Sequence, residues 1–330
     1  MGTFYDDWLA ADAQIQEGFR RARHVARDAE IPWVTTRQDA KVKLMISNEL
    51  GFATMGGNVL KAEIPVGWHT GRHAHGEESM HILEGEGFSI IDGLRFDWHK
   101  GSTIQIPYRA VHQHFNTGQT PALYLSGMCF DLERFMNLAK LEQIEDCGPN
   151  DAARLEKLPV QESQYYRDGP RAIIHLEDAP ADEEFPGHNQ NPASRNQHHY
   201  IKYLVAPENG FKAISVAVTN LWEEPAGTHS GRHKHLEAVV YAWDGRGMSE
   251  MEGHEEPWQA GDVLHVPPFM LEHEHYNNSD GSYWQLRIGF GIRYWWQDIW
   301  PAGYGPRRIL DAEGNPIEAG NIERIREREA

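Results

Sequence analysis

The sequence predicts an all-β protein built as two tandem jelly-roll β-barrels, with helices confined to the N-terminus and the linker. Three observations carry this. The first is an internal repeat, which has to be found before any single element is read. Residues Gly67 to Glu77 read GWHTGRHAHGE and residues Gly227 to Glu237 read GTHSGRHKHLE, sharing GxHxGRHxHxE at an offset of 160. Trp98, Gly101 and Pro107 recur at the same offset as Trp258, Gly261 and Pro267. His112, His114 and Asn116 recur as His273, His275 and Asn277 at an offset of 161, which places one inserted residue near Pro267 and Pro268. Two blocks with three ordered landmarks each are a duplication, not two unrelated histidine-rich loops. The second observation is a series of short alternating runs punctuated by Gly and Pro, the pattern of a sandwich or closed barrel. The third is size: 330 residues with 40% apolar and 24% charged side chains suffice for two packed cores.

The elements follow in order. Residues 1–40 form an N-terminal segment with a helix over about 5–30, ending before Pro32. Barrel 1 occupies 41–130, with strands at Asn58–Ile64, Ser79–Leu83, Phe88–Ile91, Leu94–Phe96, Thr103–Ile106 and Ala122–Leu125. Asp92-Gly93 between two of these runs signals a two-residue hairpin. Residues 131–198 form a linker, helical over about 131–157 and irregular beyond. Barrel 2 occupies 199–300, with strands at Ala213–Val218, Ala238–Ala242, Asp262–Val266 and Ser282–Ile288. A polar tail, 301–330, follows and is expected to clasp a neighbouring unit or fray.

Composition removes several classes of function. Thirty-one basic and 49 acidic residues give a net charge of −18. Such a surface repels phosphate backbones and anionic lipid, so neither nucleic acid nor a membrane is an expected partner. Cys129 and Cys147 are too few for a disulfide framework or a cysteine-built zinc site. No apolar run approaches a membrane span. The N-terminus, MGTFYDDWLAADAQ, carries acids where a secretory signal carries bases, so a cytoplasmic location is expected.

What remains to explain is 19 histidines. In a strand, alternate residues share a face. His73, His75 and Glu77 therefore point together, as do His233, His235 and Glu237. His112 with His114, and His273 with His275, form a second pair in each unit. Closing the barrel brings the two segments together in a dry interior. Bare imidazoles there would lack partners and repel one another once protonated, whereas a divalent metal resolves both difficulties. The candidate ligands are His73, His75, His112 and Glu77 in barrel 1, and His233, His235, His273 and Glu237 in barrel 2. His114 and His275 stand within reach as substrate contacts. His69 and His229 share the strand parity of the pairs and could line the mouth. Arg72 and Arg232 have the opposite parity and are expected to face outward. The ligand types admit Fe, Mn, Ni, Cu or Zn.

These residues carry both signatures of the cupin superfamily. Gly67 followed after five residues by His73-x-His75 resembles the first. Gly101, Pro107, His112 and Asn116 fit the second, with Arg109 where that signature has its inner glycine. The chain thus resembles a bicupin over about 45–130 and 200–295. More narrowly, HAHGEESMHILEGEGFSIIDGLRF followed by HQHFN is similar to gentisate and hydroxynaphthoate ring-cleaving dioxygenases. That resemblance implies Fe(II) held by three histidines, O2 as co-substrate, and a hydroxylated aromatic or enolic acid, salicylate-like or gentisate-like, that chelates the metal. Its carboxylate calls for a cation, for which Arg95 and Arg109 in barrel 1 and Arg246 and Arg287 in barrel 2 are candidates. Tyr108, Phe115 and Tyr276 are candidates to line a pocket for a flat substrate. Other bicupin activities fit the same signatures: oxalate decarboxylase-like, quercetinase-like, lyase or isomerase, or metal and small-molecule binding without catalysis. Homo-oligomers are expected by the same resemblance.

Overall fold

The computed structural model describes residues 2–181 (139 and 168 apart), 199–291 (207–208, 224–226, 231 and 269–270 apart) and strands 307–310 and 316–317. The described strands form four sheets, and the paired strands run antiparallel. Two sheets close on each other in each half, giving the predicted pair of jelly-roll barrels.

In barrel 1 the strands Lys41–Ile46, Asn58–Ile64, Ala122–Met128, Glu78–Glu84 and Thr103–Ile106 make one wall. His112–Asn116, Arg72–Ala74, Trp68–His69 and the hairpin Glu86–Ile91/Leu94–His99 make the other. The hairpin turns where Asp92-Gly93 placed it: both residues have positive φ, 47° and 81°, as a type I′ turn requires. Between the walls lie Ala62, Met80, Ile82, Phe96, Trp98 and Ile104, among others. Barrel 2 repeats the plan with Val216–Glu223, Ala238–Asp244, Val263–Val266 and Tyr283–Phe290 facing His233–His235, Arg246–Met251, His254–Gln259 and His273–Asn277. A larger cluster lies between the barrels and mixes their residues, including Met45, Phe52, Val59 and Leu125 with Val218, Val239, Leu286 and Phe290.

The segments outside the barrels depart from expectation. The N-terminal helix is Phe4–Arg21, capped by Thr3 and Asp6 in a reciprocal capping box, and it buries no residue. It stops short of the expected end because the chain then extends to add Val25–Ala26 to the wall of barrel 2, beside Val263 and Leu264. Ile173–Ile174, from the linker, adds in the same way to Thr103 and Ile104 of barrel 1. A 3-10 turn follows each arm, Asp28–Glu30 and Leu176–Asp178. The turns seat on the repeat-related Gly261 and Gly101, whose positive φ and bare Cα let Asp28 and Leu176 approach. The segment preceding barrel 1 thus completes barrel 2, and the segment preceding barrel 2 completes barrel 1.

The helix expected over 131–157 is a correction. Among the described residues of that span only Phe130–Phe135 and Ala152–Leu155 are α-helical, and Glu142–Glu145 is a strand paired with Arg72–Ala74. The open edge of the histidine-bearing strand outweighs local helix propensity. In the tail, Arg307–Leu310 occupies the matching edge of His233–His235. The rest of the irregular connection, 182–198, lies outside the described residues.

Candidate metal centre

His73, His75, His112 and Glu78 converge inside barrel 1, with one ligand atom from each lying within 4.8 Å of the others. His112 sits directly across from His73 in the ladder. His75 Nε2 is 3.1 Å and His112 Nε2 is 3.5 Å from Glu78 Oε2. Ligands held at about 2.1 Å around one ion stand about 3 Å apart when adjacent, so these spacings suit a shared cation. The loop that closes the second signature ties the two ligand segments together, since Arg109 N–H donates to His75 O at 2.8 Å.

The tautomers point the same way. His75 Nδ1 donates to Gly76 O (3.1 Å) and His112 Nδ1 to Ala110 O (2.9 Å), because a carbonyl only accepts. Each Nε2 lone pair is thereby aimed at the cluster, the arrangement that backbone carbonyls impose on metal-binding histidines. His112 Nε2 is buried without a hydrogen-bond partner. Burial pushes His73 and His112 down, so both are neutral at pH 7. Three buried imidazoles and a carboxylate converging on one point fit a divalent metal.

Glu77 does not join them. Its carboxylate leaves barrel 1 and accepts the N–H groups of Ile214 (3.0 Å), Ser215 (2.6 Å) and Val216 (3.1 Å), plus the Ser215 hydroxyl. Glu237 makes the reciprocal move, accepting Met55 N–H at 2.9 Å and contacting His265 Nε2 at 2.9 Å. Both expected carboxylate ligands are therefore corrected to latches between the barrels. The strand Arg72–Ala74 ends before His75, the chain bends at Gly76, and Glu78 starts a strand in the opposite wall. Alternation cannot be counted through that bend. The readable signal was downstream: Glu78 shares parity with Met80 and Ile82, which face the barrel interior.

Barrel 2 keeps part of this arrangement. His235 Nδ1 contacts Leu236 O, and His273 Nδ1 donates to Leu271 O at 2.8 Å. Their Nε2 atoms stand 3.0 Å apart. His233 sits opposite His273 in register, while its side chain lies outside the described residues. The position equivalent to Glu78 is Ala238.

His114 and His275 share one device. Ser89 Oγ takes the Trp98 indole N–H (3.0 Å) and lies 2.7 Å from His114 Nδ1. Ser249 does the same with Trp258 (2.9 Å) and His275 (2.7 Å). With the indole N–H on one lone pair, the hydroxyl keeps its single proton to give to Nδ1, and in that arrangement the proton of His114 sits on Nε2. Burial, followed by His112, brings His114 down to about 3, so it is a neutral donor at pH 7.

The other candidates separate from the site. Arg95 pairs with Asp97 and lies over Phe88 on the outer face of the hairpin. Arg109 is exposed and reaches toward Glu142 at 3.9 Å. Arg246 pairs with Asp280 at a hairpin end. Arg72 and Arg232 face outward as expected, the latter held by Glu250 and Glu272. His69 packs with Phe115 outside barrel 1, and His229 with Tyr276 outside barrel 2. Neither aromatic residue lines an interior. Tyr108 keeps its hydroxyl buried without a partner. Arg287 points into barrel 2, on the same face as its ladder neighbour Val240.

Two tandem jelly-roll barrels, one with a buried three-histidine, one-glutamate cluster, define the architecture of a tandem cupin. Residues 60–128, within barrel 1, match the cupin domain family. An uncharacterized protein of Methanocaldococcus jannaschii is 39% identical over 66 residues, 19% of this chain and 53% of that protein. The chain thus spans about half the length of this curated relative. Salicylate 1,2-dioxygenase from Pseudaminobacter salicylatoxidans superposes with a TM-score of 0.62 at 16% identity, over 84% of this chain and 86% of that one. Oxalate decarboxylase from Bacillus subtilis, described with Mn(II) centres, superposes with a TM-score of 0.60 at 15% identity, over 82% and 78%. Likeness at these identities concerns the fold. Among the described residues, no helix is long and apolar enough to cross a membrane.

Proposed function

We propose that the protein is a metal-dependent oxygenase, with Fe(II) the first choice of metal, acting on a hydroxylated aromatic or enolic acid. The observation that carries this reading is the buried cluster of His73, His75, His112 and Glu78, with the lone pair of His112 Nε2 aimed into it. The dioxygenase-like segments of the sequence and the likeness in fold to a salicylate dioxygenase support the choice of reaction. A divalent ion bound there would supply open coordination positions for a chelating acid and for O2.

The chain's own residues do the rest. Ser89 and Trp98 fix His114 with its Nε2–H as a donor, able to hold a substrate oxygen or deliver a proton to it. Carbonyls of Gly76 and Ala110 keep His75 and His112 in the ligating tautomer. The closed walls of barrel 1 exclude water, which strengthens each of these contacts.

Oxygen uptake by the iron-loaded protein with salicylate, gentisate and hydroxynaphthoate tests the reading. Consumption that is lost in Glu78→Ala and His112→Ala is the expected result, and no consumption across the panel would overturn it. A second reading, a lyase or decarboxylase acting on a small acid, is favoured by the glutamate in the ligand set, which the three-histidine resemblance does not include. Product formation without oxygen would select it.

A further inference from the structure

A second polar pair stands inside barrel 1, beyond the histidines. Tyr124 lies opposite Ala62 and Ile82 in its ladders and packs with them in the core of the barrel. Ser126, two residues along the same face and so about 7 Å away, donates to the Glu78 carboxylate. The rings of His112, His114 and Tyr124 follow one another, with centroids 5.5 Å and then 6.1 Å apart. At the end of this row the Tyr124 hydroxyl donates to Asp39 Oδ1 at 2.5 Å, and both residues are buried. The loop that carries Asp39 is pinned in place. Asp39 N–H donates to Thr36 Oγ1, and the N–H groups of Gly71 and Cys147 donate to Gln38 O and Arg37 O. Burial pushes Asp39 up to about 7, against the pull of the Tyr124 hydroxyl and with Glu78 adding to the rise. Burial, followed by Asp39, pushes the Tyr124 phenol well above its ordinary range, so it keeps its proton. Among the described residues, the titratable groups around Asp39 are Tyr124 and Glu78 inside the barrel and Cys147 beside its loop. Arg37 and Lys41, two residues to either side, pair at the surface with Asp146 and Glu63.

We propose that Tyr124 and Asp39 form the proton acceptor of the barrel 1 site, taking the proton that a hydroxyl of the bound acid gives up. This rests on the reading that the substrate is a hydroxy acid held beside the metal cluster. The hydroxyl proton passes to Tyr124 Oη as the Tyr124 O–H proton passes to Asp39 Oδ1. At each transfer one O–H bond breaks and one forms. Tyr124 ends unchanged and Asp39 ends as a neutral acid. The hydrogen bond already runs in that direction. The other groups of the barrel are engaged. His75 and His112 give Nδ1–H to backbone carbonyls and turn Nε2 to the cluster. His114 is held by Ser89 as a donor on Nε2. Glu78 belongs to the cluster, and Glu77 and Glu133 bind Ser215 across the barrel interface. A base is most effective when its own value lies near the working pH, and burial places Asp39 there. Tyr124 touches the substrate, and Asp39 acts through it.

Calorimetric binding of salicylate and gentisate to the Mn(II)-loaded full-length chain, in buffers of different ionisation enthalpy, counts the protons released. Oxalate, which has no hydroxyl, is the control. At pH 8 the wild type should bind either hydroxy acid without releasing a proton. Below pH 7, where Asp39 already carries a proton, binding should release about one, and affinity should fall about tenfold per pH unit. Tyr124→Phe and Asp39→Asn should release about one proton at pH 8 as well and bind the hydroxy acids at least tenfold more weakly, with oxalate little changed. The pH dependence of the wild type keeps the test decisive should a variant fold poorly. Proton release by the wild type that is the same at pH 6 and pH 8, variants that match the wild type, or oxalate weakened as much as the hydroxy acids would each overturn the proposal. Oxygen uptake with the proton released to solvent would overturn the proposal alone. A retained proton without oxygen uptake would overturn the oxygenase reading alone, and no binding of either hydroxy acid would overturn both.

Discussion

Adjacent glutamates with opposite duties make the residue scale informative. Glu77 accepts three backbone N–H groups across the barrel interface, and Glu78 faces the histidines. Removing the acceptor strands buried donors, each worth about 1–3 kcal/mol. Glu77→Ala should therefore cost about 3 kcal/mol or more in denaturant unfolding while Mn(II) stoichiometry is kept, and Glu78→Gln should show the opposite pattern. Arg109 is a second case. It holds φ of +63° where the family signature has glycine. That conformation costs a non-glycine residue about 1–2 kcal/mol, partly offset by the entropy a glycine would add to the unfolded chain. Arg109→Gly should keep stability within about 1 kcal/mol of wild type, whereas Arg109→Val should lose more than that. His81 supplies a pH dependence. It is fully buried, burial pushes it down to about 3, and its Nδ1 contacts Thr103 Oγ1. Its folded value lies below the unfolded 6.5, so its stability is fully present above pH 6.5 and lost as pH falls toward 3. At pH 5 the loss is on the order of 2 kcal/mol. Replacing it by glutamine should shrink the difference in unfolding free energy between pH 7 and pH 5 by about that amount.

Among the elements, the barrel strands were legible and the segments outside them were not. Asn58–Ile64, Thr103–Ile106 and the Asp92-Gly93 hairpin follow from alternation and turn chemistry acting over a few residues. The arms Val25–Ala26 and Ile173–Ile174 do not, because their two-residue sequences share no motif and what makes them strands is a partner in the other half of the chain or across the linker. Glu142–Glu145 is a strand for the same reason. At the site, the histidines were legible because each lies inside a regular strand or, for His75, one residue beyond it. The carboxylate was misplaced by one residue because Gly76 breaks the count. The N-terminal segment allows a direct comparison of the two kinds of element. The helix Phe4–Arg21 buries nothing, so deleting residues through Arg21 should leave the melting temperature nearly unchanged. Deleting through Arg27 also removes Val25 and Ala26 from the edge of Val263–Val266, together with the Arg27–Asp262 ion pair. Loss of that cover should cost about 3 kcal/mol, mostly from the valine, visible as a lower melting temperature.

At the scale of the whole molecule, the barrels share rather than merely touch. The cluster between them draws residues from both, and the Glu77 and Glu237 latches bind across it in both directions. Such an interface behaves as one core, so calorimetry should show a single unfolding transition in which the calorimetric and van't Hoff enthalpies agree. The exchanged arms carry this further, into the order in which the chain can fold during synthesis. Val25 leaves the ribosome long before its ladder partner Leu264, which follows barrel 1 and the linker in the chain. Barrel 1 has all its own strands in hand by Ile174, yet the arm that precedes it must wait with an open edge until barrel 2 arrives. Closing so long a loop is slow, and a nascent chain stalled between the two halves would hold a finished barrel and an unclaimed strand.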